Sequence, residues 1–146
     1  MTGLLNNRIL PYINELPRNR IVISNHALTG FDYINVGYEL ARLAQKFEFE
    51  DSGYRLVTEF ENMIRNSVSQ LEPFGNVIAL ENIGFLLDER LNFSLRSFLE
   101  RNSQNQLIVL NWNGEIENNK MYFLTQESGI RIDLKGLNYL RIQDEV

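Results

Sequence analysis

Residues 76–82, Asn-Val-Ile-Ala-Leu-Glu-Asn, decide the fold class of this chain. An apolar run that ends in an acid is typical of a central parallel strand that is covered on both faces. Residues 106–112, Gln-Leu-Ile-Val-Leu-Asn-Trp, repeat that form, and residues 20–24, Arg-Ile-Val-Ile-Ser, are a compact β-branched run. The sequence therefore predicts a sheet with buried strands at its centre.

Helical periodicity fills the intervals between these strands. Residues 37–47 and 54–68 carry apolar side chains at intervals of three and four, and a further helix is expected at about 91–101. Residues 4–16 predict a short amphipathic helix before the first strand, and residues 33–36 predict a second short strand. Strands that alternate with helices indicate parallel pairing through right-handed crossovers.

The C-terminal part of the chain has a different pattern. Residues 121–125, 129–134 and 137–142 alternate well enough to predict short terminal strands or hairpins. The sequence has no internal repeat and no low-complexity linker that would mark a second domain. We expect residues 1–146 to form one α/β domain, a small and mostly parallel sheet flanked by helices, with a C-terminal β-hairpin region.

Composition restricts the functional classes. The formal net charge of −5 argues against a primary role in binding nucleic-acid phosphates directly. No stretch approaches the roughly 20 apolar residues of a membrane span, and residues 1–8 have neither the basic start nor the long apolar run that a secretion signal is expected to show. The chain has no cysteine, which excludes disulfides and thiolate metal sites. We therefore expect a cytoplasmic protein that does not bind a membrane.

Polar residues at the ends of the two long strands are the candidate site. Glu81 and Asn82 follow their apolar run as the acid of a Walker B strand does, where it faces magnesium or an attacking water. Asn111 ends the next long strand, where nucleotide hydrolases often keep a polar sensing residue, and Trp112 follows it. A buried strand also ends in an acid simply because the chain leaves the core, and the sequence favours neither interpretation.

A phosphate-binding loop is missing after the first strand. Such a loop needs several glycines, a lysine and a hydroxyl residue. Residues 25–31 read Asn-His-Ala-Leu-Thr-Gly-Phe, and Lys46 is the first lysine of the chain. We therefore expect no nucleotide hydrolysis of the usual kind and no cofactor.

Two further patterns predict other chemistry. His26 is the only histidine, so a histidine-based metal cluster cannot form within one chain, and we expect a loop or structural role for it. Asp133 and Lys135 match the acid-x-lysine element of a nuclease site. The candidate metal-binding partners of that element are Glu115, Glu117 and Glu127. Because Gly136 follows, the same residues favour a hairpin turn with solvated charges.

Three motifs together resemble one known family. Residues 33–36 read Tyr-Ile-Asn-Val before a predicted helix, residues 80–87 read Leu-Glu-Asn-Ile-Gly-Phe-Leu-Leu, and residues 112–115 read Trp-Asn-Gly-Glu. In order and approximate spacing, over about residues 33–124, they resemble BrxF, a small P-loop protein of BREX-type bacterial phage-defence systems. The resemblance implies a sheet like that of P-loop nucleoside triphosphatases and a place in a prokaryotic anti-phage complex.

The chain departs from that family in two places. The family carries a Gly-Lys-Thr loop and a helix where this chain has only residues 25–32, and its Ser-Arg-Asn segment is replaced by Asn-Ser-Gln-Asn at 102–105. The resemblance thus implies a non-catalytic subunit that binds or regulates a larger ATPase, methyltransferase or nuclease. The residues expected to line the old site or a partner contact are Glu81, Asn82, Asn111 and Trp112. A metal-dependent nuclease, an unconventional nucleotide hydrolase and a self-assembling regulator remain alternatives, the last as a homo-oligomer.

Overall fold

The elements are taken from a computed structural model that describes residues 2–45, 52–87, 93–112, 114–122 and 131–143. In chain order they are α1 (Thr2–Asn14), β1 (Ile21–Ser24), β2 (Tyr33–Asn35), α2 (Val36–Ala44), α3 (Ser52–Asn66), β3 (Ser69–Leu71), β4 (Gly75–Glu81), a 3-10 helix (Ile83–Leu87), α4 (Leu95–Asn102), β5 (Leu107–Asn111), β6 (Ile116–Glu117), β7 (Lys120–Tyr122), β8 (Arg131–Asp133) and β9 (Leu140–Ile142). None of the described helices is long and apolar enough to cross a membrane.

The main sheet confirms the predicted α/β class. Five strands run parallel in the order β2-β4-β5-β1-β9, and β3 pairs antiparallel with the first half of β4. β5 lies between the other two long apolar runs, with Ile108 opposite Ile78 on β4 and Ile21 on β1. The carboxyl ends of the parallel strands therefore meet at one edge.

The two faces of the sheet are covered differently. Because side chains alternate along a strand, the central strands divide their apolar residues between two cores. The helix face carries Ile21, Ile23, Ile78, Leu80, Ile108 and Leu110, which pack with residues of α2, α3, α4 and the 3-10 helix. The loop face carries Val22, Val77, Ala79, Leu107 and Val109, which pack with Ile9 of α1 and with Leu28, Phe31 and Phe74.

The connection from β1 to β2 lies across the loop face. Residues 25–32 form turns without a helix, and their Leu28 and Phe31 side chains are buried in the loop-face core. Eight residues reach at most about 29 Å, while three strand spacings take about 14 Å. The connection therefore crosses β5 and β4 directly on the loop face. α1 packs on the part of that face that the connection does not cover.

The C-terminal strands belong to two sheets. β6, β7 and β8 form an antiparallel sheet, and the positive φ angles of Asn118 (54°) and Asn119 (61°) suit the tight β6–β7 turn. β9 instead pairs in parallel with β1, Leu140 opposite Val22. Residues 137–142 therefore supply a short terminal strand rather than a hairpin, which is one of the two predicted outcomes, because alternation shows that a strand is half-buried but does not choose its partner.

Other boundaries differ by a few residues. α2 and α3 confirm the two predicted helices, whereas α4 begins at Leu95 rather than 91. β3 was not predicted, because its Ser-Gln-Leu sequence carries no apolar alternation. Parts of the predicted elements at 46–47, 91–92, 123–125 and 129–130 lie outside the described residues.

The start of α2 has room only for a glycine at position 37. A Cβ atom on Gly37 would lie 2.6 Å from Asn82 Nδ2 and 2.6 Å from Phe85 Cε2. We expect Gly37→Ala to lower the free energy of unfolding by about 1–3 kcal/mol, because the ring and the amide must move. Urea denaturation measures this change.

The matched control is the Gly37→Ala/Phe85→Ala double variant. Since the Phe85 side chain is 57% exposed, its removal costs little by itself and makes room for the new methyl group. The double variant should regain part of the lost stability. A Gly37→Ala protein as stable as the parent would contradict this packing.

Candidate functional site

Four polar residues stand in one row across the carboxyl edge of the main sheet. The register pairs Ser24 with Asn111 and Asn35 with Glu81. On β4 and β5, Leu80 pairs with Leu110, so the residues that follow them, Glu81 and Asn111, lie at the same level. Alternation places all four on the loop face. We call Asn35, Glu81, Asn111 and Ser24 the strand-end row.

Ser24 closes a tight turn with the residue two positions later. Its Oγ donates a hydrogen bond to the His26 carbonyl oxygen at 2.7 Å and accepts one from the His26 backbone N–H at 3.2 Å. The His26 ring contacts the Asn25 side chain, Nδ1 to Oδ1, at 2.8 Å. His26 is thus a loop residue, as predicted. β1 ends in a side-chain-capped turn, whereas phosphate binding needs a run of backbone N–H groups pointing at the ligand.

Asn82 ties the end of β4 to the start of α2. Its backbone is left-handed (φ 58°), a conformation that asparagine tolerates, and its Nδ2 donates to Asn35 Oδ1 at 3.1 Å. Asn35 Oδ1 also accepts from the Tyr38 backbone N–H at 3.0 Å and caps α2. Asn82 therefore has a structural role, because its side chain links the end of β4 to the residue that caps α2.

Glu81 is half-buried beside Tyr33. Burial raises the pKa of the Tyr33 phenol, the hydrogen bond from the Leu28 backbone N–H lowers it, and the Glu81 carboxylate raises it further. That hydrogen bond, from Leu28 N to Tyr33 Oη, is 2.9 Å long and fastens the β1–β2 connection to β2. The Glu81 carboxylate thus lies beside the neutral Tyr33 phenol and the β1–β2 connection that this phenol holds.

Asn111 and Trp112 separate onto opposite faces of the sheet. Asn111 Oδ1 is buried and accepts no hydrogen bond from the described residues, which is uncommon for a polar atom. The Trp112 side chain is 5% exposed and packs in the helix-face core, while its backbone N–H donates to the Ser24 carbonyl oxygen at 2.8 Å. Of the four predicted site residues, the carboxyl edge brings Glu81, Asn82 and Asn111 together, and Trp112 lines a pocket that Ser24 of the strand-end row also lines.

That pocket measures about 360 Å³ and opens beside the carboxyl ends of β1 and β9. Its polar lining includes Ser24, Glu115, Glu117, Arg141 and Gln143. Sequence reasoning missed the site, because β9 supplies one wall only after it pairs with β1. No local signal in residues 140–143 indicates that pairing.

No protein-family model, curated protein or solved structure matches this chain. The resemblance to BrxF therefore rests on the sequence motifs alone.

The acid-x-lysine element of the nuclease hypothesis forms a turn. Asp133 Oδ1 accepts a hydrogen bond from the Lys135 backbone N–H at 2.9 Å, and Gly136 follows with a φ of 89°. The turn leads from β8 to β9 in the other sheet, so it does not close a hairpin. Within the described ranges, no three acidic or histidine side chains are grouped to hold a metal ion, and Glu127 lies outside those ranges.

The Tyr33 hydroxyl should hold the β1–β2 connection in place. We expect Tyr33→Phe to lower the free energy of unfolding by about 1 kcal/mol, because the Leu28 N–H loses its acceptor. Hydrogen exchange at the Leu28 amide should also become faster. Tyr38→Phe is the matched control, since the Tyr38 side chain is 65% exposed, and it should change neither quantity.

The Tyr33→Phe and Tyr38→Phe variants also test how Tyr33 makes the free energy of unfolding depend on pH. The raised pKa of Tyr33 means that the folded state keeps the phenol proton more tightly than the unfolded state. Its contribution to stability is complete below about pH 10 and is lost as the pH rises through the raised pKa. Tyr33→Phe should therefore show a smaller alkaline loss than the parent or Tyr38→Phe; an unchanged loss would contradict the assignment.

The buried Asn111 Oδ1, which accepts no hydrogen bond from the described residues, should contribute little to folding. We expect Asn111→Val to keep the free energy of unfolding within about 1 kcal/mol of the parent, or to raise it, because a buried acceptor without a donor is removed. Ser24→Ala, its partner in register, should lose about 1–2 kcal/mol, because Ser24 Oγ caps the turn. A larger loss for Asn111→Val than for Ser24→Ala would show that the amide has a structural partner.

Proposed function

We propose that this chain is a non-catalytic, P-loop-like subunit of a cytoplasmic anti-phage defence complex in a prokaryote, and that it works by binding or regulating a larger protein. The observation that carries the proposal is the course of the β1–β2 connection. Leu28 and Phe31 are buried against the sheet directly after β1, and Ser24 closes a turn there. This arrangement leaves no backbone cradle for a nucleoside triphosphate on that strand end.

The charges of the edge support the same proposal. Residues 25–32 contain no lysine or arginine, and Glu81 ends β4 at the carboxyl edge. A polyphosphate at this edge would meet the Glu81 carboxylate without the lysine that P-loop proteins place there. Glu81 and Asn111 therefore resemble the acid and the polar sensing residue of a nucleotide hydrolase in position, but the charges around them differ from those of a P-loop site.

Exposed aromatic side chains favour a binding role. Tyr38 is 65% exposed and Phe85 is 57% exposed, and Gly37 brings α2 and the 3-10 helix together between them. Exposed apolar side chains that lie next to each other can mark a protein interface, where aromatic residues contribute much of the affinity. We assign these two residues to the contact with the larger partner, and the resemblance to BrxF supports a defence system as the setting.

A nucleotide titration tests the non-catalytic part. Calorimetry of the purified protein with ATP and magnesium should show no binding at millimolar nucleotide, because the phosphate cradle is absent. In cells that carry the complete defence system, Glu81→Gln should keep phage protection, measured as plaquing efficiency. Tyr38→Ala/Phe85→Ala should lose protection and no longer co-purify the larger subunit.

Micromolar ATP binding with turnover that depends on Glu81 would refute the proposal and favour an unconventional hydrolase. Circular dichroism and urea denaturation of the double variant provide the control, since both replaced side chains are largely exposed and the fold should persist. Full protection by a folded Tyr38→Ala/Phe85→Ala variant would refute the assigned contact.

A further inference from the structure

A groove of about 600 Å³ lies at the amino ends of β1 and β9, at the edge of the main sheet opposite the strand-end row. The end of α1 forms one wall, and the turn before β9 forms the other. Tyr12 and Tyr139 line the groove with aromatic rings, and Pro17 and Leu137 line it with aliphatic carbon. Its volume falls in the range of about 300–1,000 Å³ that is usual for binding sites.

The hydroxyl groups of the two tyrosines already hold the protein's own elements together. Tyr12 Oη donates a hydrogen bond to the Asn19 carbonyl oxygen, and Tyr139 Oη donates one to Asn119 Oδ1 at 2.8 Å. The two rings therefore present mainly apolar surface to an occupant of the groove. An aliphatic side chain fits such a surface, because burying it leaves no polar group unpaired.

Leu16 stands at the rim of the groove, between the lining residues Glu15 and Pro17. Its backbone N–H donates to the Ile13 carbonyl oxygen at 2.9 Å and ends α1, and its side chain is 84% exposed. Its φ of 56° is left-handed, a conformation that helix ends usually give to glycine and that is strained for leucine. Because neither the exposure nor the backbone favours leucine within one chain, position 16 points to a binding role.

The groove also carries one charged group of each sign. Glu15 and Arg141 both line it, and among the described residues no ion pair joins them. Arg141 Nη1 donates to the Ile116 carbonyl oxygen at 3.2 Å, and the guanidinium has further N–H donors. One surface thus holds a projecting apolar side chain beside an apolar groove, and an acid beside a base, so it is complementary to itself.

We propose that a second copy of this chain covers the groove, with Leu16 of each copy seated in the groove of the other. Because the leucine and the groove are adjacent, a two-fold axis between them satisfies both copies and closes the assembly at two chains. The same symmetry allows Glu15 of one copy to pair with Arg141 of the other, twice in each dimer.

This dimer goes beyond the proposed function. The groove lies at the amino edge of the sheet, whereas Tyr38 and Phe85 follow the carboxyl ends of β2 and β4. The two surfaces are therefore separate, and the dimer leaves the contact with the larger partner accessible.

Sedimentation equilibrium of the purified chain tests the proposal. We expect a reversible monomer–dimer equilibrium between about 1 μM and about 1 mM protein, with no larger species. Leu16→Gly and Leu16→Asn each keep a residue that tolerates the left-handed backbone. Each should weaken dimerisation about a hundredfold, because every dimer loses two buried leucine side chains.

Urea denaturation of the monomer separates binding from a structural role. At a concentration at which the parent is monomeric, Leu16→Gly should raise the urea midpoint, since glycine adopts this φ without strain. A leucine that only stabilised the end of α1 would lower the midpoint when replaced. The opposite changes in folding and in dimerisation are therefore the expected signature.

A charge variant with a matched control locates the contact. Glu15→Lys should weaken dimerisation about tenfold, because the dimer holds two such pairs. Glu59→Lys makes the same change of charge at an exposed glutamate of α3 and should leave dimerisation unchanged. Tyr38→Ala/Phe85→Ala should also leave it unchanged.

Three results would each overturn the inference. The first is a chain that stays monomeric over the whole range, and the second is a dimer that Leu16→Gly leaves intact. The third is a monomer whose co-purification with the larger subunit depends on Leu16, since the partner would then cover the groove. ATP binding with turnover would refute the proposed function but would leave the dimer unaffected.

Discussion

The pairing of β5 with β4 on one side and β1 on the other is the interaction on which the rest of the structure depends. Leu107, Ile108, Val109 and Leu110 of β5 are all fully buried. Their backbone N–H and C=O groups have no water to bond, so hydrogen bonds to both neighbouring strands are obligatory. These bonds fix the register of β1 and β4 and thereby align the strand ends, which brings Ser24, Asn111 and Glu81 into one row.

The short connection after β1 determines what that row can do. With eight residues to reach β2, the chain crosses the sheet directly, and Leu28 and Phe31 cover its loop face. Apolar burial of this kind stabilises the sheet by about 1.5–3 kcal/mol for each large side chain. The connection that completes the loop-face core therefore also takes the position from which a phosphate-binding loop would act.

Side chains alternate between the two faces of a sheet, which explains why two neighbouring candidate site residues lie on opposite faces. Asn111 and Trp112 are consecutive, so one side chain lies with the strand-end row and the other packs in the helix-face core. Sequence reasoning grouped them because both follow the same apolar run. The pocket behind Trp112 depends on two elements with weak sequence signals, the β6–β7 hairpin and β9.

The amino-acid sequence by itself determined the long buried strands β4 and β5, the helices α2 and α3, and the lack of a lysine-bearing phosphate loop. Each of these follows from local information, namely an uninterrupted apolar run, a period of 3.6 residues, or the residue types present after β1. Only the tertiary structure decided that β9 pairs with β1, that β3 pairs with β4, and that a pocket forms between β9 and β6. The physical reason is that a three-residue strand gains its stability from the neighbour it meets, and alternating side chains fit any sheet edge that offers backbone hydrogen bonds.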